Sequence, residues 1–331
     1  MAPTTEVRHV IVKLQSGEEV KIPYWEIDSG ADGPVLFVLS NQHGNEVNGS
    51  EAIRRFVEIA KTKLRKGKVF AMPFANILAL RKRRPHTNLG PEQPYGDDQG
   101  HNMNRTWPGK ADGNDTERMS YAIWEGVARH ATHIVDLHSW SRFSATGGIT
   151  KADRPEVRAL AEVAAIRFVH VSKPSGKPVP TITGYKNSLG GACYTIELTT
   201  QYAVVEHEVE RGRRAVLNIA KHLGMIAGKL EGRNEPVIFL DKAKETKIIA
   251  ETTGLFVEAG LATWDYVEKG QRLGHILNDE TLETREIVAP VSGYLKEYGV
   301  RRPDCDVALP AQHPYASVGD LLVGIVEPET E

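Results

Sequence analysis

Apolar and polar residues alternate through residues 6–25, with Ser16 and Gly17 between the two runs, and this period of two predicts a β-hairpin at one edge of a sheet. Beyond it the period changes. Unbroken apolar runs at 35–39, 69–74, 134–137, 167–171 and 194–198 read as strands, and they alternate with helix-period segments near 47–64, 115–129, 154–165 and 202–223. Alternation on this scale predicts a three-layer α/β domain around a central sheet. At residues 232–236, Gly-Arg-Asn-Glu-Pro, the long helical patterns stop, and short strand-like pieces punctuated by Gly and Pro replace them. The chain is therefore expected to divide into an α/β domain over 1–233 and a smaller β-rich domain over 234–331.

Composition narrows the partners more than the fold. With 331 residues, 40% of them hydrophobic, the chain can bury a substantial core. A formal net charge of -2 supplies no electrostatic reason for a nucleic acid or an anionic membrane as partner. No stretch reaches the ~20 apolar residues of a membrane span, and the opening residues lack the charged-then-apolar order of a signal peptide, so a cytoplasmic protein is expected. Cys193 and Cys305 are too few for a disulfide framework and too far apart for a cysteine zinc knuckle, which makes both packed thiols.

Candidate chemistry begins where two apolar runs end. The run 35–39 leads through Ser40-Asn41-Gln42 to His43-Gly44-Asn45-Glu46, and the run 134–137 leads into His138. In open α/β sheets ligands bind outside the carboxyl ends of strands. Two histidines and a glutamate there suit zinc, which takes nitrogen and oxygen ligands and, in a catalytic site, keeps a position open for water. In a chain with 12 histidines an H-x-x-E match is expected on the order of once by chance, and His207 with Glu210 is such a match, set on the polar face of a helix. Asp136 shares a strand face with His138 and is a candidate to orient it.

Two further segments carry polar groups that invite a function. A polar stretch from Arg81 to His101 closes in Asn102-Met103-Asn104-Arg105-Thr106-Trp107-Pro108-Gly109 and has the character of an active-site loop. Arg105 with Asn104 offers donors for a carboxylate, or is a structural arginine on the surface. The run Arg81-Lys82-Arg83-Arg84 offers a cation for an oxyanion, or is a solvated basic patch. Glu197 sits in the strand-like Cys193-Tyr194-Thr195-Ile196-Glu197-Leu198, where an acid is either put to use or turned out of an edge strand.

In this order, H-G-N-E, N-M-N-R-T-W-P-G, D-L-H and T-I-E-L resemble the motifs of the succinylglutamate desuccinylase/aspartoacylase family of the zinc carboxypeptidase clan, over roughly residues 6–330 and including Thr116-Glu117-Arg118. The resemblance implies a zinc-carboxypeptidase-like fold with a central mixed sheet. It implies one zinc ion per chain on His43, Glu46 and His138, Glu197 as general base and acid, and Asn104 with Arg105 on the substrate carboxylate. The oxyanion arginine falls on Arg84, with Arg83 as competitor. The implied reaction is hydrolysis of the amide bond of a small N-acyl amino acid. A metallocarboxypeptidase acting on short peptides and an inactive ligand-binding homologue are the competing readings. Where the family writes D-L-N-R-x-F-P-G, this chain has Met103 and Trp107, and an insertion over 86–99 lengthens a loop beside the pocket and leaves the acyl group open. The C-terminal part resembles the family's β-rich tail and, more distantly, a barrel sandwich. Its candidate hairpin, Asn278-Asp279-Glu280-Thr281, lacks the lysine of a carrier domain, so it is expected to cap the cleft or to build a homo-oligomer interface.

Overall fold

The computed structural model describes residues 2–89, 100–145, 147–172, 180–232, 237–240, 243–301 and 313–327. The alternating segment forms the expected hairpin: β1 (Thr4–Lys13) and β2 (Glu19–Asp28) pair antiparallel, with Gly17 at φ +89° in the turn. The remaining elements of the α/β part follow in chain order. They are β3 (Val35–Ser40), α1 (Asn48–Lys63), β4 (Lys68–Met72), α2 (Ile77–Lys82), α3 (Asp115–Gly126), β5 (His133–Ser139), β6 (Gly147–Thr150), α4 (Pro155–Ala164), β7 (Phe168–Val171), α5 (Ile182–Ser188), β8 (Ala192–Leu198), α6 (Glu206–His222) and β9 (Ile238–Phe239).

The strands form one mixed sheet of nine in the order β1-β2-β4-β3-β5-β8-β6-β7-β9. The four central strands, β4, β3, β5 and β8, run parallel, so their carboxyl ends open at one edge. Helices cover both faces, as continuous apolar strands require. On one face α1, α4 and α6 bury Phe56, Leu160 and Val216 with Leu36, Val135 and Ile196. On the other, α3 and α5 bury Ile123, Trp124 and Ile182 with Phe37, Ile134 and Cys193. A reciprocal capping box starts α3: Glu117 N–H donates to Asn114 Oδ1 at 3.0 Å and Asn114 N–H to Glu117 Oε2 at 3.0 Å. This accounts for Glu117 of the Thr-Glu-Arg motif.

The sheet continues to Ile238–Phe239, and the boundary expected near residue 234 lies outside the described residues. Two four-stranded antiparallel sheets follow. One is built from Lys244–Ile249, Leu321–Glu327, Gly293–Arg301 and Tyr266–Val267, the other from Thr284–Val288, Arg272–Leu277, Gly254–Glu258 and Tyr315–Ala316. They share a core of Phe256, Leu273, Ile276, Leu295 and Val323. This unit is seamed to the α/β part. Ala145 N–H donates to Lys296 O at 2.7 Å, Tyr298 N–H to Phe143 O at 2.8 Å, and the Trp264 ring stacks on Phe168 at 5.1 Å. Among the described residues no helix is long and apolar enough to cross a membrane.

Two predictions follow from the packing. Trp264→Ala removes a ring buried at the seam and is expected to cost about 3–5 kcal/mol of stability, read by urea unfolding of the intact chain. Burial pushes the Cys193 thiol up to about 12, so it stays protonated at pH 8. With Cys305, outside the described residues, replaced by Ser, a thiol-reactive dye at pH 8 should find no cysteine until the chain is unfolded.

Candidate functional site

Three adjacent parallel strands deliver the candidate groups to one edge. His43 and Glu46 leave β3, His138 ends β5, and Glu197 lies on β8 directly opposite His138 in the β5–β8 register. The turn after β3 needs Gly44: a Cβ there would stand 2.2 Å from Ala79 C and 2.4 Å from Arg84 O. Asn41, at φ 61°, reverses the chain, and its Nδ2 donates to His43 O at 3.0 Å and Glu46 O at 3.3 Å.

One donor atom from each of His43, Glu46 and His138 lies within 4.8 Å of the other two. Nδ1 of His43 lies 2.9 Å from Glu46 Oε1, and Nδ1 of His138 lies 2.8 Å from Glu46 Oε2. The outer nitrogens are held by oxygens. Nε2 of His43 lies 3.1 Å from Asn102 Oδ1, and Nε2 of His138 lies 2.9 Å from Asp136 Oδ2. Metal-binding imidazoles are held in this way, with the outer N–H donated to an oxygen and the inner lone pair directed at the ion. Two nitrogens and a carboxylate around a common point fit zinc.

The electrostatics separate the two glutamates. Burial works against ionisation of Glu46, but His43 and His138 outweigh it and hold the carboxyl well below the usual carboxylate range. Glu46 Oε2 also accepts Ser139 N–H at 3.0 Å, and Oε1 accepts Gln201 Nε2 at 3.4 Å. Burial of His138 opposes its charge, yet Asp136 and Glu46 raise its affinity for a proton well above that of free imidazole. At Glu197 burial dominates and pushes the carboxyl up to about 7, with His138 opposing and Glu46 adding to the shift. Glu197 is half-buried, and its buried Oε2 has no hydrogen-bond partner among the described residues.

The remaining expected residues are placed as follows. Asn104 is buried, with Nδ2 at 3.3 Å from His138 Nε2. Arg105 is exposed next to it, and its Nη1 donates to Asn104 O at 2.7 Å. Arg83 takes the left-handed cap of α2 at φ 58° and is exposed. Arg84 is half-buried within electrostatic reach of Tyr202, whose N–H donates to Asn45 O at 2.8 Å. The start of the insertion is buried, with the His86 ring edge-on to His43 at 5.4 Å, and residues 90–99 lie outside the described residues. His207 is exposed on α6, as read from sequence.

Four groups at the site escaped sequence reasoning. Asn102 stands inside the recognised loop but had no role until His43 was seen against it. Gln42 directly precedes His43 and bridges Asp136 to Trp107. Gln201 directly precedes the segment 202–223 expected to be helical. The helix instead starts at Glu206, because Asn48 satisfies the preceding loop by donating to Thr199 O at 3.1 Å and Thr200 O at 2.7 Å and accepting Val205 N–H at 2.7 Å. Lys151 follows β6, whose Gly-Gly-Ile-Thr has no apolar run to announce a strand. Burial lowers the pKa of Lys151 and nearby Arg105 adds to this, while Glu197 and Asp136 oppose it. Lys151 makes no hydrogen bond or ion pair among the described residues.

The sequence and the fold have parallels among known proteins. A model of the succinylglutamate desuccinylase/aspartoacylase catalytic domain matches residues 32–223. The chain belongs to that family. It is 26% identical, over 97% of its length and 92% of the relative's, to an N-alpha-acetyl-L-2,4-diaminobutyric acid deacetylase of Halomonas elongata. Among solved structures it shares its fold with an aspartoacylase family protein of Mesorhizobium loti, at 18% identity, complete coverage of both chains and a TM-score of 0.70. A product-bound ectoine utilization protein, EutE (DoeB), of Ruegeria pomeroyi superposes with a TM-score of 0.68 at 18% identity, covering 98% of this chain and 97% of that one.

Because the Gly44 turn leaves no room for a methyl group, Gly44→Ala should displace the segment carrying Arg84 against His43. The expected result is a folded chain, by circular dichroism, that takes up added divalent metal more weakly than the wild type in equilibrium dialysis.

Proposed function

We propose that the protein is a zinc-dependent hydrolase that cleaves the amide bond of an N-acyl amino acid, yielding a carboxylate and a free amine. What supports this most is one placement: His43, Glu46 and His138 gather around a common point, with the half-buried acid Glu197 on the neighbouring strand. When bound there, zinc supplies Lewis acidity that acidifies water and polarises a carbonyl. Glu197 takes the proton of the attacking water and delivers it to the departing nitrogen. A carboxyl near pH 7 serves both transfers, since it is a competent base and, once protonated, a competent acid. Arg84 faces the oxyanion that forms as the carbonyl carbon becomes tetrahedral, and Arg83 is the weaker candidate because it sits exposed on the helix cap.

Asn104 and Arg105 hold the substrate's free carboxylate, and Lys151, within electrostatic reach of both Arg105 and Glu197, adds a second cation. A half-buried ammonium with no anion bonded to it among the described residues is stabilised when an anionic ligand arrives. The deacetylase relative makes N-acetyl amino acids, N-acetyl-2,4-diaminobutyrate among them, the first substrates to try.

The test is amine release from N-acetyl, N-succinyl and N-formyl amino acids and from short peptides, using metal-analysed protein. Turnover of an acyl amino acid is expected, with Glu197→Gln lowering kcat by about 10²–10⁴-fold while zinc content stays unchanged. A substrate esterified at its carboxylate should react poorly, and Lys151→Met should raise KM for the free acid more than for the ester. Cleavage of peptides alone would move the assignment to a carboxypeptidase. Absence of both metal and turnover would leave a binding protein.

A further inference from the structure

The two ends of the buried chain Trp107–Gln42–Asp136–His138 differ in kind: one is a metal-ligand candidate, the other an indole with no part in the chemistry above. Trp107 is 3% exposed, Gln42 and Asp136 0%, and His138 2%. Trp107 Nε1–H donates to Gln42 Oε1 at 2.7 Å, Gln42 Nε2 donates to Asp136 Oδ2 at 2.8 Å, and the same Oδ2 lies 2.9 Å from His138 Nε2.

We propose that Trp107 is a positioning residue of the metal centre, acting through Gln42 and Asp136 to fix the tautomer and the ring orientation of His138. The proposal rests on the zinc reading given above. An indole N–H only donates, whereas a glutamine amide donates at one end and accepts at the other. Trp107 at one end and the Asp136 carboxylate at the other therefore fix which way the amide of Gln42 points, and the indole is the end that holds its oxygen. Turned over, Gln42 would set its oxygen against the Asp136 carboxylate and its NH₂ against the indole N–H, a mismatch at both ends. In the observed orientation Asp136 is held as an acceptor beside His138. Two amide nitrogens also approach His138 Nε2, from Gln42 at 3.4 Å and Asn104 at 3.3 Å, but the carboxylate contact is the shortest and is charge-assisted. With zinc bound, the proton of His138 would therefore stay on Nε2, and Nδ1 would be left to present its lone pair to the ion. Trp107 occupies the position where the family motif writes phenylalanine, a side chain with no donor.

The experiment is a double-mutant cycle on the intact chain, with Trp107→Phe, Gln42→Leu and both together, reading zinc affinity by competition with a chromophoric chelator at fixed pH. Each single variant should weaken zinc binding by about 10–100-fold, the usual effect of removing a group that supports a metal ligand. The double variant should lose no more than Gln42→Leu alone, because the indole acts through that amide. Unchanged affinity in Trp107→Phe, or losses that add, would overturn the proposal. So would an affinity loss matched by equal destabilisation of the metal-free chain in urea, since that marks general loosening. If Trp107→Phe fails to fold, Gln42→Leu alone decides, and unchanged affinity there is also fatal. A wild-type chain that binds no zinc would sink the zinc reading and this proposal with it, whereas tight binding indifferent to both variants would sink this proposal only.

Discussion

The structure turns on a buried carboxylate. Ionised Glu46 is 3% exposed, and a charge so placed is tolerable only when it is fully met by partners. Those partners come from separate parts of the chain: His43 from the turn after β3, His138 and the Ser139 amide from the end of β5, and Gln201 from the loop after β8. Satisfying one side chain therefore holds three strand ends in alignment. Apolar packing beneath them, with Phe37, Val135 and Ile196 wholly buried, supplies the rigid platform on which that alignment rests.

Around this group the backbone is held in conformations it would not choose alone. Asn41, Thr200 and Tyr202 all have φ between 61° and 69°, and for the β-branched Thr200 this is costly. Their turns are held by side chains: Asn41 binds the carbonyls of His43 and Glu46, and Asn48 binds the backbone of Thr199, Thr200 and Val205. Glu208, buried at the start of α6, adds a bond to the Thr199 amide at 2.9 Å. Strain of this kind persists only where surrounding bonds over-determine it, and here it brings Gln201 to the carboxylate.

Much of this architecture was legible in the sequence because its signals are local. The hairpin announces itself by alternation and a Ser-Gly turn, and β3, β4, β5 and β8 by unbroken apolar runs. His43, Glu46 and His138 are legible because each falls at the end of such a run, which topology turns into proximity. What escaped has a non-local cause. β6 has two glycines and no apolar run, and gains its place by pairing with β8 and β7. Helices α2 and α5 are short, and each is started by a side chain, Asn76 or Thr181, that caps it. Gln42, Asn102, Gln201 and Lys151 are ordinary polar residues in sequence. Their importance lies in what stands opposite them, and nothing within a window of neighbouring residues encodes that. Nor does the basic run announce that Arg83 takes the left-handed cap of α2 and stands exposed while Arg84 is half-buried.

The seam between the two parts joins the C-terminal sheets to the segment directly after His138. Phe143 and Ala145 bond to the strand Gly293–Arg301 through main-chain atoms, and Ser144 donates to the buried Glu297 at 2.9 Å. That segment leads on to β6 and Lys151. The C-terminal sheets are thus bonded to the α/β part through its main chain. Cutting them away would strip Ala145 N–H, Phe143 O and the Ser144 hydroxyl of these bonds, in the segment directly after His138.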